Sequence, residues 1–128
     1  MSAVAIFSVA LGGAIGSIAR YCVGVYASKL LGTAFPWGTL LINVTASFLL
    51  GVLTEAFALG WDAAPTTRTL LIVGVCGGYS TFSTFSLEVL TLVYRGALVS
   101  AGLYAVSSVV LSLAGLFVAL RVMRSLVA

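Results

Sequence analysis

Gly77-Gly78-Tyr79-Ser80-Thr81-Phe82-Ser83-Thr84-Phe85-Ser86 lies in the middle of an apolar stretch running from about Thr67 to Tyr94. A glycine pair can interrupt a helix, because glycine weakens helical order. Of the eight residues that follow the pair, six carry a hydroxyl and two are phenylalanines three positions apart. The stretch is long enough to cross a bilayer core, which needs about 20 residues. Lipid tolerates so many donors and acceptors only where they are buried in protein or line a polar path. The segment therefore predicts a membrane helix broken near its middle, with its second half turned toward a polar path.

The rest of the chain fits that setting. Of its 128 residues, 62% are hydrophobic and 7% are charged, and the mean hydropathy is +1.25. A soluble domain carries about 25% charged residues, so the composition is that of an integral membrane protein. Four apolar spans can be drawn: Ala3 to Leu30, Gly38 to Leu59, Thr67 to Tyr94 and Ala97 to Leu120. Turns at Gly32–Trp37, Gly60–Thr66 and Arg95-Gly96 separate them. The predicted fold is an all-α membrane protein, a single four-span transmembrane domain over residues 1–128.

Several function classes are disfavoured. Six basic residues against three acidic ones give a pI near 9.2, but they are too scattered for a nucleic-acid footprint. There is no histidine, and the two cysteines, Cys22 and Cys76, both fall inside apolar spans and read as small buried hydrophobes. Two thiols without histidine make a poor metal site. The N-terminus lacks the basic region of a secretory leader, and its apolar run exceeds leader length. With no nucleotide-binding motif and little extramembrane sequence, an enzyme is the least favoured class.

Three spans carry small or polar residues at i, i+4 spacing, which keeps them on one helix face. They are Ser8, Gly12, Gly16, Arg20, Gly24 and Ser28 in the first span; Thr39, Asn43, Ser47, Gly51 and Glu55 in the second; and Ser100, Tyr104, Ser108 and Ser112 in the fourth. Small residues at this spacing let helix backbones approach closely. The tyrosine and serines of the fourth span are more polar than packing requires, although each serine can also bond back to its own helix. Lysines and arginines are almost evenly divided between the two ends of the spans: Arg68, Arg121 and Arg124 on one side, Lys29, Arg95 and the more deeply placed Arg20 on the other. The positive-inside rule then gives no preferred orientation. Insertion both ways, and hence an antiparallel dimer, is the expectation.

Individual residues carry competing readings. Arg20 lies well inside the first span, either facing a water-filled vestibule or snorkelling to the surface. Asn43 either bridges helices or aims a donor at an anion. Glu88 follows Thr84 by one turn and can relay protons, bind a cation or accept hydrogen bonds from hydroxyls. Phe82 and Phe85 share one side of the helix. They either fill space or present ring edges, which carry partial positive charge, to an anion. A break after Gly77-Gly78 would free carbonyls at a half-helix end, a setting that suits a small cation such as sodium.

These pieces resemble the Fluc-type (CrcB) fluoride channels. The matching elements are Gly12-Gly13, Gly16 and Arg20-Tyr21; then Gly38-Thr39-Leu40 and Asn43; then the whole Gly77–Ser86 stretch followed by Glu88. The resemblance implies a dual-topology antiparallel homodimer in a bacterial or archaeal cell (inner) membrane, crossing it several times. It implies two fluoride pores giving passive exit of fluoride that had entered as the neutral acid. It implies that Phe82 and Phe85 line the pore with Asn43 and the Thr81 and Thr84 hydroxyls. Tyr104, Ser108 and Ser112 would form a polar track on the fourth helix, and Arg20 would sit in the vestibule. It further implies a structural, non-transported Na+ at the dimer axis, held by the backbone carbonyls of Gly77 and Ser80. Glu88 would belong to a proton or polar network. The alternative function is a small dual-topology proton-coupled exporter of cationic compounds, which needs a membrane carboxylate, with Glu55 and Glu88 as the candidates. A non-transporting assembly subunit would leave the polar third span unexplained.

Overall fold

The structure, a computed structural model, describes residues 1–127. Helix α1 (Ala3–Leu31) begins at Ser2, whose side chain accepts from the Ala5 N–H, and ends at Gly32, where φ of 79° is left-handed backbone that favours glycine. Helix α2 (Trp37–Ala58) follows the Pro36 turn. The third span is composite: α3 (Pro65–Arg68), a π-helical segment (Thr69–Cys76), α4 (Gly77–Tyr79), and, after a break, α5 (Phe82–Tyr94). Helix α6 (Leu98–Val127) closes the chain. Four helical spans are long and apolar enough to cross a membrane, and no strand occurs among the described residues. The fourth span is longer than its apolar run indicates: Arg121 and Arg124 continue α6 rather than follow it.

The bundle has two close helix pairs, α1 with the first half of the third span and α2 with α6. Glycine makes both possible. A Cβ on Gly16 would lie 2.3 Å from the Val75 carbonyl oxygen, and one on Gly78 would lie 2.7 Å from the Gly13 carbonyl oxygen. A Cβ on Gly51 would lie 2.7 Å from the Ala119 Cβ. The α1 stripe is thus a packing seam at Gly12 and Gly16, whereas Gly24 and Ser28, like Arg20, line a recess.

Two expectations change here. The helix does not break at the glycine pair, since Gly77 has helical backbone angles (φ −66°, ψ −36°). The interruption falls at Ser80 (φ −72°, ψ 158°) and Thr81 (φ −154°, ψ 118°), both extended. Gly78 is needed for close approach to α1, not for the break. Cys22, expected to be buried, is exposed, whereas Cys76 is buried; both are free thiols.

Candidate functional site

Two local devices make the break. The Asn43 side chain on α2 reaches across and bonds the Thr81 backbone twice: its Nδ2 donates to the Thr81 carbonyl at 2.9 Å, and its Oδ1 accepts the Thr81 N–H at 2.8 Å. The Thr81 side chain then caps α5, accepting the Thr84 N–H at 3.2 Å. Thr81 also donates its hydroxyl to that of Thr84 at 3.0 Å. Asn43 is therefore an interhelical clamp, and one of its two N–H donors remains uncommitted to Thr81.

Both devices divert backbone donors. In an α-helix the Gly77 carbonyl would accept from the Thr81 N–H and the Ser80 carbonyl from the Thr84 N–H. The first N–H now serves Asn43 and the second serves the Thr81 hydroxyl. The Gly77 and Ser80 carbonyls are thus among the four, Gly77 to Ser80, whose ordinary helical donors lie across the break. Gly77 is exposed and Ser80 half-buried, beside a small cavity of about 170 Å³ that also touches Ser47 and Cys76. The Ser80 hydroxyl is occupied, donating to the Cys76 carbonyl at 2.9 Å. Hard oxygen donors of this kind suit a small, hard cation. No cluster of three histidine, cysteine, aspartate or glutamate side chains occurs among the described residues.

Apart from Tyr104 and Glu88, the remaining candidates divide between two cavities that meet at Thr81. One, about 340 Å³, is lined by Asn43, Ser47, Ser80, Thr81, Phe82, Phe85, Ser108 and Ser112. The Phe82 and Phe85 rings stand 5.5 Å apart, tilted by 47°. Ser108 is buried with its hydroxyl unpartnered, rather than turned back onto its own helix. Phe82 is 78% exposed in the single protomer.

The other cavity, about 660 Å³, is lined by α1 through Ser17, Arg20, Tyr21, Ser28 and Lys29, and by Thr39, Thr81 and Thr84 opposite. The Glu55–Arg124 pair is the one ion pair among the described residues. Arg20 is therefore half-buried without a counter-ion beside a wide, basic recess.

Tyr104 lines neither cavity. It is completely buried in a core with Leu40, Leu92 and Ala101, its ring 5.2 Å from that of Phe85. It stands behind the Phe82–Phe85 cavity, not on its wall. Glu88 accepts a 2.5 Å hydrogen bond from the Thr39 hydroxyl and lines a third recess, about 280 Å³, next to the α1–α2 connection.

The chain matches the family described as CrcB-like protein, Camphor Resistance (CrcB), over residues 7–120. It is 50% identical over 121 residues to "Fluoride-specific ion channel FluC 1" of Nitrobacter hamburgensis, covering 94% of this chain and 96% of that one. It is 51% identical over 120 residues to "Fluoride-specific ion channel FluC" of Rhizobium etli, covering 94% and 96% of the two chains. The protein of that name from Rhodospirillum centenum is 50% identical over 123 residues, covering 96% and 98%. Four membrane-crossing helices and this similarity along almost the whole length establish that the chain is a multi-pass membrane protein of the CrcB family.

Proposed function

We propose that this chain is a fluoride-selective channel through which fluoride leaves the cytoplasm passively, down its gradient. The observation that carries the reading is the cavity at the helix break, which Phe82 and Phe85 line together with hydroxyl and amide side chains. Fluoride sheds its water only if other donors replace it. The Ser108 hydroxyl is buried without a partner, Ser112 lies one turn further along α6, and Asn43 retains one N–H beyond its clamp on Thr81. Phe82 and Phe85 add the positive edges of their rings. Such a wall offers no fixed charge that would attract every anion alike. Arg20 and Lys29 in the wide recess raise the local anion concentration by focusing the field.

The working unit is an antiparallel homodimer with two ion paths. Phe82, aromatic and largely exposed beside a polar cavity, is a natural contact for a second copy. The even division of basic residues supports insertion in both orientations. The Gly77 and Ser80 carbonyls of both copies would hold a sodium ion near the two-fold axis. That ion would supply a fixed positive charge between the two paths without itself moving. Thr84 serves the path through its bond to Thr81, and Tyr104 as the ring behind Phe85.

Cation export is the weaker reading. Glu55 is 4% exposed and is clamped by Arg124, whose Nε and a terminal nitrogen reach its two oxygens at 2.8 and 3.3 Å. Glu88 is occupied by Thr39, and Arg20 repels cations from the recess of about 660 Å³. The deciding experiment is efflux from liposomes holding purified protein. Fluoride is expected to leave and chloride to stay, with no proton gradient imposed. Equal chloride flux would refute the selectivity.

A further inference from the structure

Phe35 stands in the connection between α1 and α2, outside every polar stripe. Its ring meets the Tyr104 ring edge-on, with centroids 5.6 Å apart and planes at 79°. Tyr104 in turn lies 5.2 Å from Phe85, and Phe85 lies 5.5 Å from Phe82. A continuous run of aromatic rings thus leads from a connecting turn to the wall of the break cavity. Tyr104 is 0% exposed. Its hydroxyl lies near the Thr39 side chain and the Glu88 carboxylate, so its far end has polar neighbours, while the orientation of the ring itself also depends on what packs on its faces and edges. The aliphatic neighbours Leu40, Leu92 and Ala101 fill volume, whereas the two phenylalanine contacts have preferred angles.

We infer that Phe35 is a positioning residue: by holding Tyr104 it sets the angle at which Phe85 presents its ring to the ion path. The inference rests on the channel reading above. Angle matters because an aromatic ring is positive at its edge and negative on its face. A tilt of Phe85 therefore exchanges attraction for repulsion at an anion, even when cavity volume is unchanged. Phe35 touches no ion itself and acts through Tyr104.

The test compares fluoride efflux per folded dimer for Phe35→Leu, Phe35→Tyr, Phe85→Leu and the Phe35→Leu/Phe85→Leu double variant. Trp37→Leu is the control. Trp37 packs on the same Phe35 ring at 4.6 Å, so this change loosens the turn without touching Tyr104. Losing one oriented aromatic pair translates into a fall of about two- to tenfold in flux for Phe35→Leu. Phe35→Tyr keeps the edge contact and should retain flux, as should Trp37→Leu. The double variant should conduct no less than Phe85→Leu alone, because the angle no longer matters once the ring is gone.

Normal flux in Phe35→Leu, with the unaltered protein conducting fluoride, would overturn the inference and leave the channel reading intact. So would multiplicative losses in the double variant. Absence of fluoride flux in the unaltered protein would instead refute the channel reading itself. If Phe35→Leu fails to assemble, Phe35→Met carries the same comparison, since methionine fills irregular apolar space. Failure of both to assemble, with Phe35→Tyr intact, would assign the ring to folding alone and overturn the inference.

Discussion

Replacing Asn43 by alanine removes the clamp that opens the third helix. Two hydrogen bonds are lost, at 2.9 and 2.8 Å, and Thr81, only 8% exposed, is left with its N–H and carbonyl in need of partners. Interhelical hydrogen bonds within membranes average about 0.6 kcal/mol and reach about 1.7 kcal/mol. Orphaned buried polar groups in soluble proteins cost about 1–3 kcal/mol. The adjoining cavity, about 340 Å³, is roomy enough for water to serve one of the two groups. The expected loss of folding stability is therefore about 1 to 3 kcal/mol for the pair.

The loss of conduction should be larger, for a separate reason. With Asn43 gone, the Thr81 N–H is free to return to the Gly77 carbonyl, its ordinary helical acceptor. Closing the helix this way removes the extended Ser80-Thr81 backbone and turns the cap of α5 away from the cavity. Thr81→Ala is the matched comparison. It keeps both backbone bonds to Asn43 but deletes the cap, for about 1 kcal/mol. The assay pairs thermal unfolding in detergent with fluoride-electrode efflux from liposomes, normalised to folded protein. Asn43→Ala should lose far more flux than Thr81→Ala. The reasoning fails if Asn43→Ala loses stability while flux per folded protein stays normal, because the clamp would then be packing alone.

Four other outcomes follow from the same geometry. Gly16→Ala forces a Cβ to 2.3 Å from the Val75 carbonyl oxygen and should destabilise by about 1–3 kcal/mol, whereas Gly13→Ala, whose Cβ meets nothing within 4 Å, should unfold normally. Phe82→Leu and Phe85→Leu should cost no more than about 1.5 kcal/mol as bulky apolar swaps yet depress fluoride efflux far more than Phe7→Leu on the exposed face of α1. Ser80→Ala should be tolerated in flux assays, since its hydroxyl serves only the Cys76 carbonyl and the backbone oxygen survives; a dead but dimeric variant would refute the carbonyl assignment. A cysteine placed in the Gly60–Thr66 connection should be labelled to a comparable extent from both sides of the membrane, and labelling from one side alone would exclude dual insertion.

The four spans and the composite third helix were legible because apolar length and clustered hydroxyls are local properties of the sequence. The site of the break was not. Gly77-Gly78 looks like a helix breaker in isolation, but Gly78 is committed to α1, where a Cβ would strike the Gly13 carbonyl. Asn43, 38 residues away in sequence, decides where the helix opens, and a contact at that separation leaves no mark within the Gly77–Ser86 stretch. The π-helical turn over Thr69–Cys76 is equally silent in its residues. The surroundings of Tyr104 were hidden for a related reason: spacing puts it in line with Ser108 and Ser112, but the Phe35 ring that stands against it comes from the α1–α2 connection.

The α2 stripe shows why the remainder was readable. In lipid, apolar contact gives helices little reason to choose one neighbour over another, so close packing and polar ties must do it. Thr39 ties α2 to α5 through Glu88, and Asn43 ties it to the break. Ser47 turns into the cavity at the break. Gly51 admits α6 to backbone contact at Leu116 and Ala119, and Glu55 locks the far end through Arg124. Each member of one i, i+4 row thus meets a different part of the bundle. A slip of α2 by a single residue would turn every one of these groups off its partner together and leave the Glu55 carboxylate buried without its cation. The row therefore sets the register of α2 against both α5 and α6, and the same row delivers Asn43 to the one point where the third helix opens.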